Sequence, residues 1–225
     1  VALSDTLFAI GFMSIQNAHE YLICLSVSGT SIGSAGNLVD LTLNEQKGSQ
    51  VHSIPMHRIS STAFLVLYFW YNWDAGETVY DLYVMSVSGT TITKSKTLTI
   101  PDGVNIISAC FEMAGNKIVL CGYDTRARQY AFSYCVLTVS GNTISAVSEM
   151  KTVEGVDIKN DYIIAKQSDA KLILLAPSSN SFSNKKAIEL GFDGNELKIE
   201  KTIPFDTGDN KYNLAALKYT GIDTS

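Results

Sequence analysis

Apolar residues along this chain come in short runs that either alternate with polar positions or continue unbroken, each bounded by Gly, Ser, Asn or Asp. That spacing has the two-residue period of strands. No window sustains the i, i+3, i+4, i+7 spacing of an amphipathic helix without Gly or β-branched interruption, so the pattern predicts an all-β chain. Self-similarity organises the runs. Ser26-Val27-Ser28-Gly29-Thr30-Ser31-Ile32 returns as Ser86-Val87-Ser88-Gly89-Thr90-Thr91-Ile92, as Thr138-Val139-Ser140-Gly141-Asn142-Thr143-Ile144, and more weakly as Gly191-Phe192-Asp193-Gly194-Asn195-Glu196-Leu197. The turn glycines recur every 52 to 60 residues. A Ser-Gly or Asp-Gly pair between two alternating stretches predicts a hairpin, because glycine accepts the positive φ of a tight primed turn.

About 20 residues upstream of each turn stands a polar pair or triplet followed by an apolar run. The runs are Ser4-Asp5-Thr6-Leu7-Phe8-Ala9-Ile10, Ser60-Ser61-Thr62-Ala63-Phe64-Leu65-Val66, Ala114-Gly115-Asn116-Lys117-Ile118-Val119-Leu120 and Ser168-Asp169-Ala170-Lys171-Leu172-Ile173-Leu174. A further strand precedes the last three, over Ser53 to Ile59, Asn105 to Met113 and Asp161 to Gln167. Four strands per repeat is the anatomy of a β-propeller blade, which predicts one propeller domain over 1–225 with blades at about 1–50, 51–103, 104–157 and 158–204. The first copy shows no leading strand of its own. Tyr212 to Tyr219 supplies a candidate that would close the ring on the first blade and remove exposed sheet edges. An open fragment of a larger ring, or one completed by residues elsewhere, is the alternative.

Composition narrows the function. With 46% hydrophobic residues there is ample material for a core, and only 17% of the 225 residues are charged. A net charge of −5 with no Lys/Arg cluster argues against a nucleic-acid surface, which needs several basic groups on one face. The longest apolar run, Thr62 to Tyr71, is about half the length of a membrane-spanning helix, so no membrane insertion is expected. Val1 opens the chain with no basic stretch leading into an apolar one; no secretion signal is visible, and the chain reads as excised from a longer one. Cys24, Cys110, Cys121 and Cys135 fall inside strand patterns at spacings that match no zinc or haem motif, and read as small buried hydrophobes.

The pairing of Ala2-Leu3-Ser4-Asp5-Thr6 plus an apolar run with a downstream Val-Ser-Gly-Thr-Thr-Ile-Thr resembles the tandem propeller-like repeats of bacteriophage and prophage tail proteins. The likeness runs from Val1 to about Tyr219 and weakens in the fourth copy, where Phe192-Asp193-Gly194-Asn195 replaces Val-Ser-Gly-Thr. Similar repeats also resemble those of bacterial surface proteins. The resemblance implies a structural or adhesive virion module of a tail fibre, tail tip or baseplate. Its partners would be a host-surface glycan or protein receptor and other tail proteins, with homo-oligomers possible in such assemblies. A bacterial cell surface or secreted location is the alternative.

Chemistry is sparse. His19, His52 and His57 are too scattered to predict a metal site, and no HExxH, Gly-x-Ser-x-Gly, P-loop or Gly-x-Gly-x-x-Gly pattern occurs. No cofactor is implied and no enzyme activity is expected. A propeller glycosidase would need two flanking carboxylates. Asp74, Glu77, Asp81, Asp124 and Asp157 are available, yet Arg58, Arg126 and Arg128 are the only arginines and cannot form a sialidase triad. The densest local feature is Tyr68-Phe69-Trp70-Tyr71-Asn72-Trp73-Asp74-Ala75-Gly76-Glu77, which holds both tryptophans and lengthens the second hairpin. Aromatic rings beside Asn, Asp and Glu suit a sugar; packing of the blade edge is the competing role. The equivalent loops are His19-Glu20-Tyr21, Asp124 to Tyr130 and Ser178 to Lys186. Together they predict a binding rim drawing on Tyr71, Trp73, Asp74, Glu77, Arg126 and Arg128.

Overall fold

Four antiparallel sheets form in chain order, each a simple meander. The computed structural model describes residues 1–14, 19–41, 56–72, 77–100, 106–124, 131–158, 162–177 and 184–206. The first sheet contains β1 (Ala2–Ser4), β2 (Leu7–Met13), β3 (Glu20–Ser28), β4 (Ser31–Ala35) and β5 (Val39–Asp40). The second contains β6 (Met56–Ser60), β7 (Ala63–Asn72), β8 (Glu77–Ser88) and β9 (Thr91–Thr99). The third contains β10 (Ile106–Met113), β11 (Lys117–Asp124), β12 (Ala131–Ser140), β13 (Thr143–Val147) and β14 (Lys151–Asp157). The fourth contains β15 (Ile163–Ser168), β16 (Lys171–Pro177), β17 (Asn184–Phe192) and β18 (Leu197–Asp206). The described residues contain no helix.

The sheets share one plan of four strand positions. In the first and third the outermost position is broken in two, with β5 pairing β3 and β14 pairing β12. Those breaks shorten the free outer edge, while the unbroken outer strands β9 and β18 carry Lys94, Lys96, Lys198 and Lys201. Both devices discourage edge-to-edge aggregation. The first copy does have a leading strand, contrary to the sequence expectation. Ala2–Ser4 pairs with β2 through Ala2↔Phe8 and Ser4↔Leu7, and Val1 adds an N–H···O bond of 2.6 Å to the Ala9 carbonyl. Three residues are too few to show a two-residue period, which is why the sequence concealed it. Tyr212 to Tyr219 lie outside the described residues.

Turn chemistry agrees with the repeat. Gly29, Gly89 and Gly141 have φ of 60°, 59° and 58°, and each opens a two-residue link between strands. Glycine with positive φ at the first central position belongs to a type II′ hairpin, whose twist matches that of its strands. The fourth copy differs: Phe192↔Leu197 encloses four residues, and Asp193 Oδ1 accepts from the N–H groups of Asn195 (3.0 Å) and Glu196 (2.9 Å). The upstream turns are equally regular. Ser4, Ser60 and Ser168 each accept a hydrogen bond from the N–H two residues on, at 3.3, 3.2 and 3.3 Å.

Chain contacts divide the molecule into two units, Val1–Ile100 with Val139–Val147, and Pro101–Thr138 with Ser148–Ser225. Each sheet has a front face, bearing Phe8, Phe64, Ile118 or Leu172, and a back face, bearing the residue that follows. In the first unit the back face of the first sheet (Ala9, Leu22, Cys24) packs with the front face of the second (Phe64, Val66, Tyr68, Tyr83, Met85). In the second unit the back face of the third sheet (Val119, Cys121, Tyr134, Val136) packs with the front face of the fourth (Leu172, Leu174, Ile188, Leu190). None of the four cysteines forms a disulfide; burial pushes the Cys135 thiol up to about 12, consistent with a packing role.

Asn37 clasps the two sheets of the first unit. Its Nδ2 donates to the Ile92 carbonyl at 3.0 Å, and its Oδ1 accepts from the Ile92 N–H at 2.7 Å. Beside it, a methyl at Gly36 would overlap the Thr90 carbonyl oxygen. Asn37→Ala leaves both backbone groups of Ile92 without the amide, so we predict a loss of about 1–3 kcal/mol in urea unfolding. A loss within error of zero would show that the clasp contributes nothing.

Candidate binding rim

The link between the second and third strands stands at the same position in every sheet, so the four links define equivalent sheet ends. In the second sheet pairing continues to Asn72↔Glu77, ten residue pairs in all, against seven between β2 and β3. The hairpin is thus longer, as its sequence indicates. Tyr71 lies near the end of β7, opposite Thr78, and Glu77 opens β8. Trp73, Asp74, Arg126 and Arg128 lie outside the described residues, as do the tips of the other loops.

The first sheet shows what this end of a repeat can assemble. Phe12 pairs with Tyr21 across β2 and β3, and Tyr21 pairs with Asp40 across β3 and β5, which sets the three on one face in one row. The Phe12 and Tyr21 rings lie 5.8 Å apart and tilted, and the His19 ring lies 6.1 Å from Tyr21. His19 Nδ1 meets Asp40 Oδ2 at 2.7 Å, with both side chains part exposed. Phe12 is 42% exposed. Apolar ring surface beside an imidazole and a carboxylate can take the C–H face of a sugar together with its hydroxyls.

Sequence reasoning reached His19 and Tyr21 as a loop equivalent but missed Phe12 and Asp40. Phe12 reads as one more apolar strand residue, and Asp40 is brought in by a two-residue strand that sequence alone does not reveal. Aromatic residues collect at this end elsewhere too. Tyr123, Phe132 and Tyr162 form edge contacts at 6.3 and 6.5 Å in the second unit, although burial holds the Tyr162 hydroxyl far above its usual range. Among the described residues no group of three or more His, Cys, Asp and Glu is arranged to hold a metal ion, and no helix is long and apolar enough to cross a membrane.

Beneath the cluster Glu20 is 2% exposed, and burial raises its carboxyl to about 7 from 4.5. Between those values the folded chain holds a proton that the unfolded chain has lost, so stability falls as the pH rises through this window. Glu20→Gln removes the titration. It should stabilise the fold at pH 8 by on the order of 2 kcal/mol, with the gain shrinking towards pH 5. A pH-independent difference in melting between variant and parent would contradict this.

Compared with known proteins, the chain matches no family model and no curated sequence.

Proposed function

We propose that the four sheets are blades of a β-propeller, and that the chain is a non-enzymatic adhesive module of a phage or phage-like tail. It engages a host-surface glycan or receptor through the rim formed by the links between second and third strands. The observation that carries this reading is the row Phe12, Tyr21 and Asp40 with His19 beside it, an aromatic and polar cluster at this end of the first sheet. In sequence, Tyr71 and Asn72 end β7 and Trp73 and Asp74 follow into the equivalent link of the second repeat, with Glu77 next to it, and Arg126 and Arg128 fall in that of the third. Sugar sites combine ring stacking with a few polar groups in this way.

A second reading, a structural virion spacer that contacts other subunits, is favoured by a different feature: Ile10 is 42% exposed, with Ile23 opposite it in its cross-strand row. A binding screen of the intact chain against glycans and whole bacterial cells, run beside Trp73→Ala and His19→Ala, separates the two. The adhesive reading predicts saturable binding that falls tenfold or more in at least one variant, about 1.4 kcal/mol. Absence of binding to any glycan or cell would leave the spacer reading.

A further inference from the structure

Charge is divided lengthwise in the first unit. No Lys or Arg precedes Lys47 in the sequence, whereas Asp5, Glu20, Asp40 and Glu45 do. Among the described residues of this unit the only Lys and Arg are Arg58, Lys94 and Lys96. Register sets them side by side: Arg58 pairs with Phe64, Phe64 with Met85 and Met85 with Lys94, while Lys96 stands in the next row opposite Val84. Those rows lie near the start of β7, on the order of 26 Å along the strand from the Asn72 end where the link emerges. Two of these cations also have partners of their own. Lys94 Nζ sits 4.4 Å from the centre of the Tyr83 ring, and Lys96 Nζ donates to the Ile144 carbonyl at 2.7 Å.

The link end carries acids instead. Glu20 opens β3, Asp40 ends β5 in the aromatic row, Glu77 opens β8 opposite Asn72, and Asp81 follows on the same strand. A ligand that reaches the Phe12 and Tyr21 rings therefore approaches Asp40 at an end where the described unit places no Lys or Arg. His19 Nδ1, 2.7 Å from Asp40 Oδ2, is engaged with that carboxylate. Recognition of a carboxylate, sulfate or phosphate relies on Arg or Lys donors, and a like charge set against it repels. Stacking on an aromatic ring needs only the C–H face of a sugar, so the charge of the site decides between ligands. We propose that the first-sheet rim site selects uncharged sugars and rejects glycans with an anionic group on the stacked residue. The inference rests on the adhesive reading above and adds the ligand's charge class to it. Arg126 and Arg128 belong to the second unit, so they do not enter this site.

The test is a glycan array in which neutral oligosaccharides stand beside their sialylated, uronylated and sulfated derivatives, probed with the parent chain and with Phe12→Ala. Binding that falls about tenfold or more in Phe12→Ala is assigned to this site. Phe12→Leu serves as the milder version should the alanine impair folding, judged by circular dichroism. Every glycan so assigned should be neutral. Its acidic derivative should bind at least about tenfold more weakly at about 20 mM salt, with the gap narrowing at about 500 mM, where exposed charges are screened. In Asp40→Asn the neutral-to-acidic ratio should fall, whatever happens to the neutral affinity itself. An acidic glycan whose binding depends on Phe12 would overturn the inference, and so would a ratio that neither salt nor Asp40→Asn changes. Glycan binding that no Phe12 substitution alters would overturn it too, while leaving the adhesive reading to the other links. Absence of binding to any glycan or cell would overturn both.

Discussion

Everything in this molecule depends on which face of its sheet each side chain enters, and that is set by one residue count. Ala2 pairs with Phe8, Arg58 with Phe64, Glu112 with Ile118 and Lys166 with Leu172, six positions apart in every repeat. Three repeats reach that count with a two-residue turn and an upstream irregularity, between Ala2 and Ser4, Arg58 and Ser60, and Lys166 and Ser168. The third uses a three-residue turn instead, in which Gly115 and Asn116 adopt φ of 74° and 57°, and its strand has no irregularity at that point. Two local solutions thus give one parity. A slip of one residue sends every side chain of a strand to the opposite face. In β10 that would exchange Phe111 and Met113, packed into the second unit's core, for Cys110 and Glu112. Glu112 is exposed, and burying it unpaired would be costly.

This parity accounts for how much of the fold could be read in the sequence. Turn glycines announce themselves because positive φ is a strong restriction, and all four recurrent glycines adopt it. The apolar runs after the Ser-containing turns are long enough to declare strands. The misses fall where the code is short. The first leading strand has three residues and β5 has two; the break in the outer strand of the third sheet, Ser148-Glu149-Met150, carries no strong breaker pattern, and Gly36-Asn37 in the first sheet stands too close to a two-residue strand to announce it. Strand irregularities are invisible from sequence because an irregular strand reads like a regular one.

The rim was less legible than the fold, for a reason rooted in strand geometry. A two-residue period says which residues share a face, but not which strands from distant sequence come alongside. Phe12, Tyr21 and Asp40 meet only because β5 pairs with β3, 21 residues separating His19 from its partner Asp40.

The claim that residue count fixes the packing is tested most directly by urea unfolding of two altered third repeats. In one, Met113 to Lys117 is replaced by the five residues Gln167 to Lys171 of the fourth repeat; in the other, Asn116 is deleted. The count is kept in the exchange, so a cooperative transition is predicted, weakened only by the loss of the buried Met113 side chain, about 1–3 kcal/mol. The deletion breaks the count, and a loss of several kcal/mol or of cooperativity is predicted, of the order expected for burying an unpaired charge. A deletion variant as stable as the exchange would contradict the account.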